Sequence, residues 1–447
     1  MKTIGDLESR FNRAREVLLG ELTSGEELSM EFLGERSAFM RFSSAKVRQI
    51  GDVDESYASF RLFNGERSVN AAFPVSGDVD EDASRAAMAL SQARESVSIL
   101  PGNPYRKPSR STTTSRQVFP AVSLPPIESL PDAILGPADG LDFVGIHAQG
   151  PSARASANSA GACHYFETEG FLTDWSLWLP NGKAVKSHNA GRDFSPESHA
   201  SRIERERGRL QVLARPERRL EPGDYRAYIA PEALAEVIPF FSWCGLSERD
   251  LREGDSAFIA LKEGRKSLSP SLSLYQDFGL GLEPRFNEAG ELAPERMPLI
   301  EGGRLVGSLV SERSASQYGV PSNAAPDGEY LRSPALSPGL MPEAEALAAL
   351  GTGVYVSNFH YLNWSDVAAA RVTGMTRFAC FWVDMGSIVA PIKDMRFDES
   401  LYSLLGDGLE ALTIEQSLIP NTESYGLRAV GGSLLPGILV SALSFKL

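Results

Sequence analysis

The sequence predicts an α+β protein: N-terminal helix and antiparallel-sheet units, then a large, sheet-rich, barrel-like C-terminal domain. Three observations carry this. Two segments of helical period in the first hundred residues bracket a run of alternating strands. Asn64-Gly65 and Asn181-Gly182 mark tight hairpins, because Asn and Gly accept positive φ. Beyond residue 243 only 343–350 and 400–411 carry helical period, while Gly and Pro recur among strand-like runs.

Taken in order, residues 5–20 place Leu7, Phe11, Ala14 and Leu18 near one helical face. "LSMEFLGERSAFMRFSSAKVRQI" and "SYASFRLFNGERSVNAAFPV" read as three or four strands. "DVDEDASRAAMALSQARESVSIL" is a helix with an acidic first turn, favourable at the positive end of its dipole. Residues 101–137 are rich in Pro, Ser and Thr and read as a linker or extended arm. Residues 138–220 form a second unit: strands around the Asn181-Gly182 turn, then a helix capped by Ser195 with Pro196 at its first position. The expected division is thus 1–220, made of 1–100, 101–137 and 138–220, followed by 221–447. A short helix is expected after Pro231, and "GGSLLPGILVSALSFKL" reads as a closing strand pair.

With 447 residues the chain can bury a sizeable core. A net charge of −14 argues against general nucleic-acid binding, which depends on clustered cations, though a local basic patch is compatible with it. The opening residues lack the apolar core of a signal peptide, and the apolar C-terminal run is too short and broken to span a bilayer. The three cysteines, Cys163, Cys244 and Cys380, give no disulfide framework and suit a reducing compartment. A soluble, acidic, cytoplasmic protein is expected.

The five histidines are His147, His164, His188, His199 and His360. None is followed by Glu, and no two share a helical face, so the helical zinc arrangements are missing. His164 and Glu167 lie in a strand-like segment, where their spacing points them to opposite faces. His188 and His199 flank a loop and a helix start; a polar surface role is expected, with a meeting in space as the alternative. Cys380 and Cys244 sit in bulky apolar surroundings and read as buried small residues. The richest polar and aromatic cluster is 357–378, "SNFHYLNWSDVAAARVTGMTRF". There Ser357, Asn358, His360, Tyr361, Asn363, Trp364, Ser365 and Asp366 are candidates for a peptide groove or partner contact. The competing reading is a packed loop in which "NWSD" caps a turn. Exposed sheet edges could also take a peptide as an added strand or mediate dimerisation.

From about residue 8 to 446 the order of segments resembles the TldD/PmbA family, also called modulators of DNA gyrase. "VRQIGDVDESYASFRLFNGERSVNAAF", "ASANSAGACHYFETEGFLTDWSLWLPNGKA", "LEPGDYRAYIAPEALAEVIPFF", "FNEAGELAPERMPLIEGGRLVGSLVSERSASQYGVPSN" and "TGMTRFACFWVDMGSIVAPIKDMRFD" carry the likeness. The resemblance implies two kinds of member. In the TldD kind, an HExxxH helix and a C-terminal cysteine hold a catalytic zinc. Here that helix should fall within Pro231 to Trp243, which holds Glu232 and Glu236 but no histidine. The cysteine should fall in 423–437, which has none.

Such a chain resembles the PmbA or TldE kind, which lacks the ligands and pairs with the catalytic subunit to trim peptides. The resemblance therefore implies no cofactor in this chain, zinc in a TldD-like HExxxH partner, a peptide substrate, and no direct nucleic-acid or membrane contact. The segments 250–290 and 357–366 depart from the family pattern. Two other readings stand beside it. One is an enzyme with an unconventional site at His164 and Glu167 or at Cys244; the other is a homodimeric peptide- or ligand-binding scaffold.

Overall fold

The computed structural model describes residues 6–424 and 426–446. The expected helix start at residue 5, and Tyr425 within 423–437, lie outside them.

The first helix, α1 (Asp6–Gly20), buries Leu7, Phe11, Ala14 and Leu18, the stripe its period requires. Strands β1 (Glu26–Ser43), β2 (Lys46–Asn64) and β3 (Arg67–Pro74) form a meander. It turns at Gly65, whose φ of 60° suits glycine. Helix α2 (Val79–Ile99) starts where the Asp78 side chain accepts from the amides of Asp80 and Glu81. The arm after it is ordered: it contributes β4 (Thr114–Phe119) and the one-turn helix α3 (Leu130–Leu135). Strands β5 (Asp142–Asn158), β6 (Cys163–Trp178) and β7 (Ala184–Gly191) follow. Next comes α4 (Pro196–Leu213), capped by Ser195 as its sequence requires.

These strands make one seven-stranded sheet, ordered β3-β2-β1-β5-β6-β4, with β7 sharing the β4 edge of β6. Helices α1 and α2 cover one face, packing on Leu28, Met30, Phe32, Leu62 and Tyr165. A second core joins α3, α4 and the β5–β7 end to residues of the C-terminal half, including Tyr228, Tyr355, Phe381 and Leu439.

The C-terminal half runs through β8 (Gly223–Ile229), α5 (Pro231–Ala235), α6 (Glu248–Glu253), α7 (Ile259–Lys262), β9 (Leu274–Asp277), β10 (Arg296–Glu301) and β11 (Arg304–Leu305). Helix α8 (Glu312–Tyr318), β12 (Pro334–Leu336), α9 (Ala346–Leu350), β13 (Gly353–Val356), β14 (Asn358–Asp366) and β15 (Arg371–Arg377) follow. Strands β16 (Phe381–Asp384), β17 (Ser387–Pro391), β18 (Arg396–Ser400), β19 (Leu409–Pro420) and β20 (Gly432–Lys446) complete it. The largest apolar core lies here, with Phe241 stacked on Phe258 at 4.9 Å and Phe359 tilted against Phe397 at 4.5 Å.

The barrel expectation is corrected. The 13-stranded sheet follows the path β11-β10-β9-β12-β20-β8-β13-β16-β17 and branches at β20, which also pairs β18 and β19. No sheet closes among the described residues: β11, β14, β17 and β19 each have a single strand partner. The physical reason is β20. It spans 15 residues, and its ladders with β8 and β19 carry register shifts. A long, bulged strand can serve successive partners along each edge, so the sheet forks instead of keeping the uniform tilt that closure requires.

The C-terminal apolar run is therefore one hub strand and not a strand pair. The helix expected at 400–411 is only a π turn at Ser403–Asp407, because β19 begins at Leu409.

Candidate functional site

Strand alternation gives the N-terminal sheet two unlike faces. On β1, Leu28, Met30 and Phe32 pack under the helices. The intervening Ser29, Glu31, Leu33 and Glu35 point the other way. Register aligns Ser29 with Arg61 of β2, and Leu33 with Tyr57 of β2 and Arg154 of β5. This second face meets C-terminal segments 283–291 and 322–332, and charged side chains fill the seam between them.

Arg61 and Arg106 bridge Asp327 at 3.0 and 2.9 Å. The Asp327 amide donates to the Glu288 carboxylate. Arg332 holds the loop in shape by donating to the carbonyls of Pro284 and Ala324, each at 3.0 Å. On the sheet side, His164 contacts the Gly290 carbonyl at 3.1 Å and its ring stacks on Phe286 at 5.2 Å. The Asn158 side chain donates to the Ala289 carbonyl at 3.3 Å.

Two carboxyls in the seam are held up to about 7. For Glu31 the main cause is burial; Glu288 and Asp327 add to it, while Arg61 and Arg154 oppose it. For Glu312 burial again leads, reinforced by Glu291, Asp327 and Glu288 against Arg61. Burial also raises Glu283, against Arg154 and Arg332. Neutral carboxyls beside fixed guanidinium groups can both donate to and accept from a peptide backbone. Sequence reading missed this seam. The one local signal is "MEFLGE", where Glu31 and Glu35 fall at outward positions on either side of Leu33, between residues bound for the core.

The 357–366 candidates occupy β14 and the residue before it. Ser357 is buried, 3.3 Å from the Arg377 carbonyl and 3.9 Å from the Cys380 sulfur. Asn358 and His360 are half-buried. Tyr361 is 81% exposed and takes a φ of 54°, in the left-handed region. Asn363 and Ser365 are exposed. Trp364 packs edge-on against Phe240 at 4.7 Å and donates to the Trp243 carbonyl at 3.1 Å. Asp366 accepts from the Ala369 amide at 3.0 Å, the turn-capping bond that "NWSD" suggests. The strand thus lies beside the 238–243 turn.

The remaining histidines are structural. His147 is buried with Thr173 at 2.7 Å and Gln149 at 3.2 Å, and burial pulls it down to about 4. His199, bonded to the Ile134 carbonyl and edge-on to Trp175, is also pulled down to about 4 by burial. His188 contacts the Leu418 carbonyl at 3.1 Å. Both are buried, which corrects the surface role expected for them: β7 and α4 turn these positions inward. Glu167 bonds Tyr165, its neighbour on the same strand. Burial raises the thiols of Cys380 and Cys244, opposite to what a thiolate nucleophile needs. All three cysteines are free.

The Pro231–Trp243 segment offers no zinc seat. Helix α5 is five residues long, and a 3-10 turn over Ile238–Phe241 follows it. The inward positions Ala233, Leu234, Val237, Ile238 and Phe241 belong to the apolar core. Among the described residues, no three His, Cys, Asp or Glu side chains are grouped so as to hold a metal ion. The residues present therefore do not fit the family's zinc.

Fold and donor set together define a class: a two-sheet α+β protein with a metallopeptidase-like architecture and a charged seam between its N-terminal sheet and C-terminal segments. The family model of the PmbA/TldA metallopeptidase C-terminal domain matches residues 222–446, half of the chain, and the chain belongs to the TldD/PmbA family.

Three solved structures share the fold. A proposed modulator of a DNA gyrase from Thermotoga maritima is 14% identical, with a TM-score of 0.73 over 98% of this chain and 100% of its own. TldE from Thermococcus kodakarensis gives the same identity, TM-score and coverage of both chains. A proposed modulator of DNA gyrase from Bacteroides thetaiotaomicron is 13% identical, with a TM-score of 0.75 over 98% of each chain. At such identities the likeness is one of fold. No curated protein matches the sequence.

Proposed function

We propose that this chain is the non-catalytic, PmbA/TldE-like subunit of a two-component peptidase. It pairs with a TldD-like HExxxH subunit that carries the zinc, and supplies part of the chamber that receives peptides or unfolded segments. One observation carries the reading: the fold aligns with TldE over 98% of the chain, while the described residues contain no metal-holding group. Exposed Tyr361, Asn363 and Asp366, with Ser357, Asn358, His360 and Trp364 behind them, are proposed as peptide-groove or partner-contact residues. The net charge of −14 supports action on peptides without nucleic acid, in the cytoplasm.

The test mixes the purified chain with its HExxxH partner, then follows complex formation by size-exclusion chromatography and cleavage of an unfolded polypeptide. A stable complex that cleaves faster than the partner alone is expected. A partner that works fully by itself, with this chain eluting only as its own dimer, would refute the reading in favour of a homodimeric scaffold.

A further inference from the structure

A second charged feature lies away from the seam, where α7, β11 and the Ser403–Asp407 turn surround a cavity of about 870 Å³. Its wall gathers Lys262, Arg265, Lys266 and Arg304, in a chain whose net charge is −14. Three of these cations come from one short run, "KEGRKS". The run is wound tightly, because Gly264 takes a φ of 69° and the amides of Arg265 and Lys266 both donate to the Ala260 carbonyl, at 2.9 and 3.0 Å.

The opposite wall is also fixed. Buried Tyr402 accepts from the Leu261 amide at 3.2 Å and donates to the Ala257 carbonyl at 3.2 Å, locking α7 to the π turn. Within that turn Gly406 leaves helical geometry at φ −114°, ψ −112°.

The charges are poorly compensated from within. Arg265 pairs with Glu263. Lys262 donates to the Leu251 carbonyl at 3.2 Å, and Lys266 sits 4.6 Å from the Tyr402 ring centre; neither contact supplies a negative charge. The Arg304 side chain has no ion pair or hydrogen bond among the described residues, and among them Asp407 is the only carboxylate lining the cavity. Like charges drawn into one concavity repel one another and focus a positive potential, a cost that a polyanion offsets. The hydroxyls of Ser267 and Ser403, also on the wall, have no partner among the described residues and can donate to anionic oxygens.

The geometry points to a binding site for a small ligand bearing a di- or triphosphate group. The volume falls in the range of small-molecule pockets, about 300–1,000 Å³. Lysine ammonium groups and an arginine fork suit phosphate oxygens. The walls come from three short segments, 261–267, 304–305 and 400–407.

Isothermal titration of the full chain at low salt tests this with tripolyphosphate, magnesium-free ATP, adenosine and a hexaglutamate peptide. Tripolyphosphate is expected to bind saturably at one site, weakening as salt rises, while adenosine does not bind. ATP tighter than tripolyphosphate would assign the site to nucleotides; equal affinity would assign it to the phosphate chain alone. Arg304→Ala is expected to weaken binding about tenfold, and Asp407→Asn to tighten it several-fold, with melting temperatures confirming that both fold. No saturable binding, indifference to both substitutions, or tighter binding of hexaglutamate would overturn the assignment.

Discussion

Substituting Glu31 by Gln tests the seam directly, because the effect must depend on pH with a fixed sign. In the folded chain the Glu31 carboxyl stands at about 7, against an ordinary 4.5. Between those values the native state binds a proton that the unfolded state has released, so stability falls as pH rises through the window. A shift of this size, at about 1.4 kcal/mol per unit, costs about 3.5 kcal/mol once pH exceeds 7. The groups facing Glu31 are Glu288, Asp327, Arg61, Arg154, Tyr330 and Arg332. Glu312 also lies near Glu288, Asp327 and Arg61, so proton sharing reduces the expected gain to about 2 kcal/mol. Gln keeps the shape and the donor but cannot ionise. Urea unfolding of both proteins at pH 5, 6.5 and 8 should therefore show Glu31→Gln close to wild type in acid and more stable at pH 8. A difference that is flat with pH, or that grows toward acid, would refute the placement of this carboxyl.

Other expectations follow from the packing. Glu329 is buried and accepts from the Ser311 amide at 2.9 Å, the Ser311 hydroxyl at 2.8 Å, the Ser247 hydroxyl at 2.6 Å and the Arg249 amide at 3.1 Å. Glu329→Ala leaves these donors unpaired and should cost about 3 kcal/mol in urea unfolding. Phe258→Ala empties a fully buried site stacked on Phe241 and should cost about 3–5 kcal/mol by the same measurement. His147 stands near 4 in the folded chain, so the native state binds fewer protons than the unfolded one below the ordinary histidine value. Its contribution is lost as pH falls from about 6.5 toward 4, and NMR should find its imidazole neutral at pH 5.5. Gly437→Ala would set a methyl 2.0 Å from the Tyr228 hydroxyl, and should lower the melting temperature far more than Gly208→Ala, where a methyl meets open space.

Local rules read well where a local cause decides the outcome. Ser195 caps α4 because its side-chain oxygen meets the Ser198 amide three residues on, a distance that sequence spacing sets. The Leu7, Phe11, Ala14 and Leu18 stripe and the turn at Gly65 are legible for the same reason. What was not legible depends on residues far apart in the chain. Whether β20 closes a barrel or forks the sheet depends on which strands reach its two edges. The arm strand β4 pairs with β6 some 50 residues later, which composition alone cannot show.

The charged sites divide along the same line. The seam needs Glu31 opposite Glu288 and Asp327, and the basin needs 262–266 beside Arg304; neither pairing is encoded in spacing. His188 and His199 were read as surface residues because a polar side chain next to a loop usually is one, and tertiary packing overrode that. The missing metal helix was different. It was legible at once, because its absence is a matter of residue type at one short segment.

The most direct measurement of the central claim is the zinc content and peptidase activity of the isolated chain, by elemental analysis and hydrolysis of an unfolded polypeptide after purification without added metal. Well under one zinc per chain, and no hydrolysis until the HExxxH subunit is added, are the expected results. One zinc bound per chain, with turnover by that chain alone, would contradict it.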